Sequence, residues 1–186
     1  MLQVRGVVLQ STLHSIRARL SPPEREAFSR ALDPALLPLL EKPADPSGWV
    51  PAPALTGLME AFASILPEDP AKTYWRLGRE SCDDNLAAAY RLMSRLARPE
   101  FVLRRAVRVW GDFYDRGDFE VLESSPESGA VRVSGADFPH PAMCHRIGGW
   151  IERAIELAGG LDVKVEHPAC TFAGAECEEW RARWRL

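Results

Sequence analysis

Residues 165–177, VEHPACTFAGAEC, place His167, Cys170 and Cys177 within eleven positions near the end of a 186-residue chain. Thiolate and imidazole are the donors that bind zinc, and a reduced cysteine cluster points to metal or reactivity before disulfides. Cys144, in AMCHRIGGW, supplies a third thiol. The set Cys144-x22-His167-x2-Cys170-x6-Cys177 would make a closed tetrahedral site of the structural type, with no open position for a catalytic water. This spacing is not a common zinc-finger signature. The competing reading has three small buried cysteines and a surface histidine in a turn, since free cysteine is among the most buried residue types. Glu166, His140 and His145 are substitute ligands should His167 point away.

Whether these donors can meet depends on the elements that carry them. The stretch 142–160 reads as an amphipathic helix, with Met143, Ile147, Trp150, Ile151, Ala154, Ile155 and Ala158 on one face and Gly159-Gly160 ending it. Residues 161–167, LDVKVEH, alternate with period two, Leu161, Val163 and Val165 inward. A helix over 143–158 runs roughly 22 Å at 1.5 Å per residue, and the strand returns a similar distance at 3.3 Å per residue. The strand's end therefore arrives beside the helix's start, bringing His167 and Cys170 to Cys144. Cys177 opens a last strand, 177–185, whose Trp180, Ala182 and Trp184 share a face.

Upstream, 118–124 and 130–134 flank the turn-rich SPESG and read as a β-hairpin. The first half is helical and punctuated by prolines. Val8, Leu9, Leu13, Ile16 and Leu20 form one stripe, and Ser21-Pro22-Pro23-Glu24 is a helix start. The proline-rich segment 41–53 reads as a loop. Further helices are expected over 53–66, over 70–96 with a bend near Gly78 or Ser81, and over 99–114. The expected class is α+β: a single domain over 1–186, its helical part (1–116) packed on a β-β-α-β-β part (117–186) with a four-stranded antiparallel sheet.

A hydrophobic share of 46% with 26% charged residues is that of a soluble globular chain. Net charge of −3 gives no basic field for nucleic acid, and no apolar run approaches the roughly 20 residues of a membrane span. The N-terminus lacks a secretory signal, so the expected location is the cytoplasm, with the thiols reduced. HExxH, GxSxG, the phosphate-binding P-loop and GxGxxG are all absent, and no enzymatic activity is expected.

The C-terminal part, about 97–186, resembles the 4-vinyl-reductase-type domain. That domain belongs to the ligand-binding superfamily shared by nitric-oxide signalling proteins and Golgi trafficking subunits. The resemblance is carried by the hairpin, the cysteine at the mouth of a glycine-containing helix (CHRIGGW), the strand DVKVE, the pair CTFAGAEC and the aromatic closing strand. It implies a zinc ion held by Cys144, Cys170 and Cys177, with the family's acidic position falling on His167 and not on Glu166. It also implies a cytoplasmic sensory domain that holds a small hydrophobic or aromatic molecule against Trp110, Phe113 and Tyr114, with output through a homodimer or partner protein. The alternative drawn from the same superfamily is a scaffold or assembly subunit with no exchangeable ligand. Haem sensors of the superfamily use Y-x-S-x-R. The nearest stretch, YRLMSR (90–95), has a different spacing, and no haem is expected.

Overall fold

Glycines 78, 148 and 149 let two helices approach backbone to backbone. A Cβ on Gly78 would lie 1.9 Å from the carbonyl oxygen of Arg146, and one on Gly149 would lie 2.0 Å from that of Trp75. On Gly148 it would enter the Trp75 ring at 2.4 Å. These residues belong to α5 (Pro70–Asn85) and α7 (Ala142–Leu157), which therefore cross backbone to backbone. Glycine is the residue that permits such an approach. The computed structural model describes residues 1–85 and 98–186. The end of the helix expected over 70–96 lies outside the described residues, and α5 continues through Gly78 and Ser81.

Charged pairs flank the crossing. Arg79 donates to Glu152 at 2.6 Å and to Glu156 at 2.8 Å, Arg153 reaches Asp83 and Glu156 at 2.9 Å, and the Trp75 indole N–H donates to Glu152 at 2.6 Å. Burial works against ionisation of Glu156, but hydrogen bonds from Arg79 and Arg153 outweigh it and hold its carboxyl below the ordinary 4.5.

The remaining elements follow the expected pattern closely. Helix α1 (Gly6–Arg19) buries Val8, Leu9, Leu13 and Ile16, and α4 (Ala52–Ser64) buries Leu55, Leu58, Met59 and Phe62 in the same core. Helix α2 (Pro22–Ala31) starts as its sequence indicates, the Glu24 carboxylate accepting from the Ser21 backbone N–H at 2.8 Å. A short α3 (Pro38–Glu41) precedes α4, and α6 (Pro99–Phe113) leads into the sheet. Strands β3 (Asp118–Ser124), β4 (Ser128–Ser134), β5 (Leu161–Ala169) and β6 (Glu178–Arg185) form an antiparallel sheet in the order β3-β4-β6-β5. The α+β class and the four-stranded sheet are as expected.

Two expectations are corrected. The segment read as a loop contains strand β2 (Trp49–Pro51), which pairs antiparallel with β1 (Gln3–Arg5); a three-residue strand carries no periodic signal. Leu161, expected inward, is 57% exposed. The register of β5 on β6 slips between Leu161 and Lys164, and such a shift turns the residue before it to the other face. Among the described residues no helix is long and apolar enough to cross a membrane.

Two outcomes follow. Gly149→Ala should lower the free energy of unfolding by about 2 kcal/mol, the overpacking cost exceeding the gain in helix propensity, whereas Gly111→Ala on α6, where a Cβ meets nothing within 4 Å, should raise it by about 0.5–1 kcal/mol. Denaturant midpoints compare the two. The native state, with Glu156 held ionised, binds fewer protons than the unfolded chain, so this contribution is present above pH 4.5 and is lost as pH falls below it. Arg79→Met should flatten the fall in melting temperature between about pH 5 and pH 3.

Candidate metal centre and ligand cavity

Helix α7 and strand β5 return on one another as their lengths require, and the donors meet at the shared end. One ligand atom each from Cys144, His167, Cys170 and Glu178 lies within 4.8 Å of the others. Cys144 sits in the first turn of α7, while His167 follows Val163 and Val165 on one face of β5. Cys170 stands where β5 ends, and Glu178 begins β6. Glu166, at the opposite phase of β5, is exposed.

The structure brings together three of the four residues expected from sequence and not the fourth. Cys177 stands outside the group. Trp180, Ala182 and Trp184 all face inward on β6, so the same parity turns Glu178 inward and Cys177 away, towards the charge of Arg132. That parity was readable in the alternating strand. His140 is engaged elsewhere: its Nδ1 accepts from the Ala142 N–H at 3.1 Å and its Nε2 lies 3.3 Å from Glu60. His145 packs beside Tyr74, and burial lowers its pKa.

The carboxylate of Glu178 is divided between two tasks. Its Oε1 accepts from the backbone N–H of Thr171 at 3.1 Å and from the Thr171 hydroxyl at 2.5 Å. Its Oε2 faces the cluster, 2.8 Å from His167 Nε2 and 3.5 Å from Cys144 Sγ. The His167 contact is an ion pair whose angle falls outside hydrogen-bond geometry. The imidazole is fixed by stacking on Trp180, centroids 4.8 Å apart, and the Trp180 N–H is bonded to the Cys144 carbonyl at 3.2 Å. Burial opposes ionisation of Glu178, but His167 and Thr171 hold its carboxyl down to about 2. Burial pushes the Cys144 thiol up, and the neighbouring carboxylate adds to the shift. Two sulfurs, a nitrogen and an oxygen suit a tetrahedral divalent cation; bonds of about 2.0–2.3 Å set such donors roughly 3.3–3.7 Å apart, so the wider pairs would close and the His167–Glu178 pair would part slightly.

Two to three residues along α7 the second feature begins. A cavity of about 50 Å³ lies between α1, α6, β3 and α7. Trp110, Phe113 and Tyr114, expected at a ligand site, all line it, with Phe119 and Trp150. Trp110 stacks on Tyr114 at 4.1 Å, and its indole N–H is held by the Arg116 carbonyl at 3.1 Å. The polar exception is Arg146, 2% exposed, which donates to the Tyr114 hydroxyl at 3.3 Å and the Ser81 hydroxyl at 2.5 Å. Sequence reasoning missed it, although Arg146 stands three residues from Met143 on the buried side of the helix.

No family model and no curated protein sequence matches the chain. Its structure is similar to solved H-NOX proteins. The Fe(II) form from S. oneidensis superposes with TM-score 0.74 at 10% identity, over 98% of this chain and 96% of that one. The Fe(II)NO form from the same organism gives 0.70 at 11%, over 98% and 99%. The unliganded Fe(II) protein from K. algicida gives 0.69 at 10%, over 98% and 97%. At these identities the likeness is one of fold, and it spans the helical half as well as the part from 97 onward.

The expectation of no haem is corrected by this finding. Domains of the same fold are described in Fe(II), Fe(II)NO and haem-distorted states, so a mismatch at 90–95, which lies outside the described residues, does not exclude haem. The described lining, as arranged, does not fit an iron porphyrin held by histidine: the cavity is about 50 Å³, and among the described residues no imidazole borders it.

Thiol chemistry gives a direct test of these environments. In folded, chelator-treated protein at pH 8, iodoacetamide should modify the half-buried Cys170 and Cys177 well ahead of the buried Cys82 and Cys144, whose thiols burial pushes up. Peptide mass spectrometry over a time course reads the order.

Proposed function

We propose that this chain is a small-molecule sensor domain in which a metal-pinned helix carries one wall of a ligand cavity. The observation that supports this most is the pairing, on α7, of an aromatic-lined cavity with a four-donor cluster at the helix's start. A hydrophobic or aromatic ligand sits between α1, α6 and α7, in contact with Trp110, Phe113 and Tyr114. A structural zinc ion held by Cys144, His167, Cys170 and Glu178 ties α7 to the β5–β6 connection. All four positions being protein donors, the ion serves folding and not catalysis. When ligand enters, α7 and α6 adjust their packing, and a second copy of the chain or a partner protein reads the change. The solved proteins of this fold are described with iron and diatomic gases, which favours sensing over a permanent assembly role. The likeness to H-NOX proteins supports the wider superfamily, and the motifs CHRIGGW and CTFAGAEC support the narrower 4-vinyl-reductase-type reading.

Elemental analysis tests the metal. Protein purified without added metal should carry about one equivalent of zinc, lost in Cys170→Ser and reduced in Glu178→Gln but kept in Cys177→Ser. Less than about half an equivalent, unchanged by Cys170→Ser, would remove zinc from the reading. For the ligand, apolar aromatics should change tryptophan fluorescence saturably and raise the melting temperature, by about 2.7 kcal/mol of added stability at a hundredfold excess over Kd. A haem titration followed by absorbance, run in parallel, reports the iron-porphyrin alternative.

A further inference from the structure

Arg146 is the most deeply buried arginine among the described residues, and no carboxylate there pairs with it. Its guanidinium offers five N–H groups, of which two donate, to the neutral hydroxyls of Tyr114 and Ser81. Among the described residues its buried Nε has no hydrogen-bond partner. The other arginines around the α5–α7 crossing stand in carboxylate pairs: Arg76 with Glu68, Arg79 with Glu152 and Glu156, Arg153 with Asp83 and Glu156. Those pairs engage Glu68, Asp83, Glu152 and Glu156. Residues 86–97, LAAAYRLMSRLA, contain no Asp or Glu that could serve instead.

A buried cation without a counter-charge is costly unless something of opposite charge answers it. Here that cation borders a cavity whose other walls are Val8, Trp110, Phe119, Ile147 and Trp150 among apolar neighbours. The planar fork of arginine matches a carboxylate with two parallel hydrogen bonds, a geometry that the hydroxyls do not satisfy. We infer that Arg146 makes the cavity selective for apolar molecules that carry a carboxylate, over neutral molecules of the same shape; this deepens the small-molecule reading above and rests on it. The open volume of about 50 Å³ exceeds the roughly 10–15 Å³ that one water needs, which leaves room for a small polar group such as a carboxyl. The apolar body of the ligand then displaces the half-buried Phe113 and Trp150 side chains, which makes tryptophan emission the natural readout.

The test uses the full chain and two isosteric pairs, benzoate with benzamide and hexanoate with hexanamide, titrated at pH 7 by tryptophan fluorescence with thermal shift as a second signal. The acid of at least one pair should bind roughly tenfold or more tightly than its amide, and the pair that responds tells an aromatic ligand from an aliphatic one. Arg146→Met should bring acid and amide to within about threefold of one another, and Arg146→Lys should keep a reduced preference for the acid. A purely structural Arg146 would lower the melting temperature in the Met variant and leave the acid-to-amide ratio intact, which overturns the inference. Equal or tighter binding of the amides by the unaltered chain also overturns it, while the small-molecule reading stands. Binding of neither member of either pair overturns both, and because that result is read on the unaltered chain it does not depend on how the variants fold.

Discussion

The contact on which this molecule depends is the crossing of α5 and α7 at Gly78, Gly148 and Gly149. With no Cβ at these points, each helix lays its backbone against a carbonyl of the other, at distances where any side chain would collide. Dispersion falls steeply with separation, so a crossing this close gains contact along both helices. The charged pairs at its rim, Arg79 with Glu152 and Glu156 and Arg153 with Asp83, fix the rotation of one helix on the other.

That rotation places both candidate sites. Cys144 and Arg146 are two residues apart on α7, yet one joins the donor cluster at the sheet and the other closes the cavity. Gly78 packs on the carbonyl of Arg146 itself, so the glycine that permits the crossing also sets the backbone from which the buried guanidinium projects. A small rotation of α7 would move thiol and guanidinium together. The candidate metal centre and the candidate ligand cavity thus share one helix, so a movement of that helix would reach both.

Much of this architecture was legible in the chain. The stripe of Val8, Leu9, Leu13 and Ile16, the Ser21–Glu24 helix start and the alternation of Trp180, Ala182 and Trp184 each state a local period, and the elements form where those periods say. Comparing the length of α7 with that of β5 was enough to bring Cys144, His167 and Cys170 together. Strands β1 and β2 were not legible, because three residues are too few for a period and their pairing joins positions nearly fifty residues apart. The choice of Glu178 over Cys177 was written in the parity of β6 but concealed by residue type, since a cysteine draws the eye to metal more readily than a glutamate.

By itself the sequence determined the order of helices and strands, the inward faces of most of them and the donor types near the end of the chain, because these follow from spacing along one segment. Tertiary structure decided which donors meet, that three glycines form a notch, and that an arginine is buried beside aromatic rings without a carboxylate. Those are relations between segments distant in sequence. A side chain's partner is fixed by the rotation and register of two elements against each other, and neither quantity is encoded in the period of either element alone.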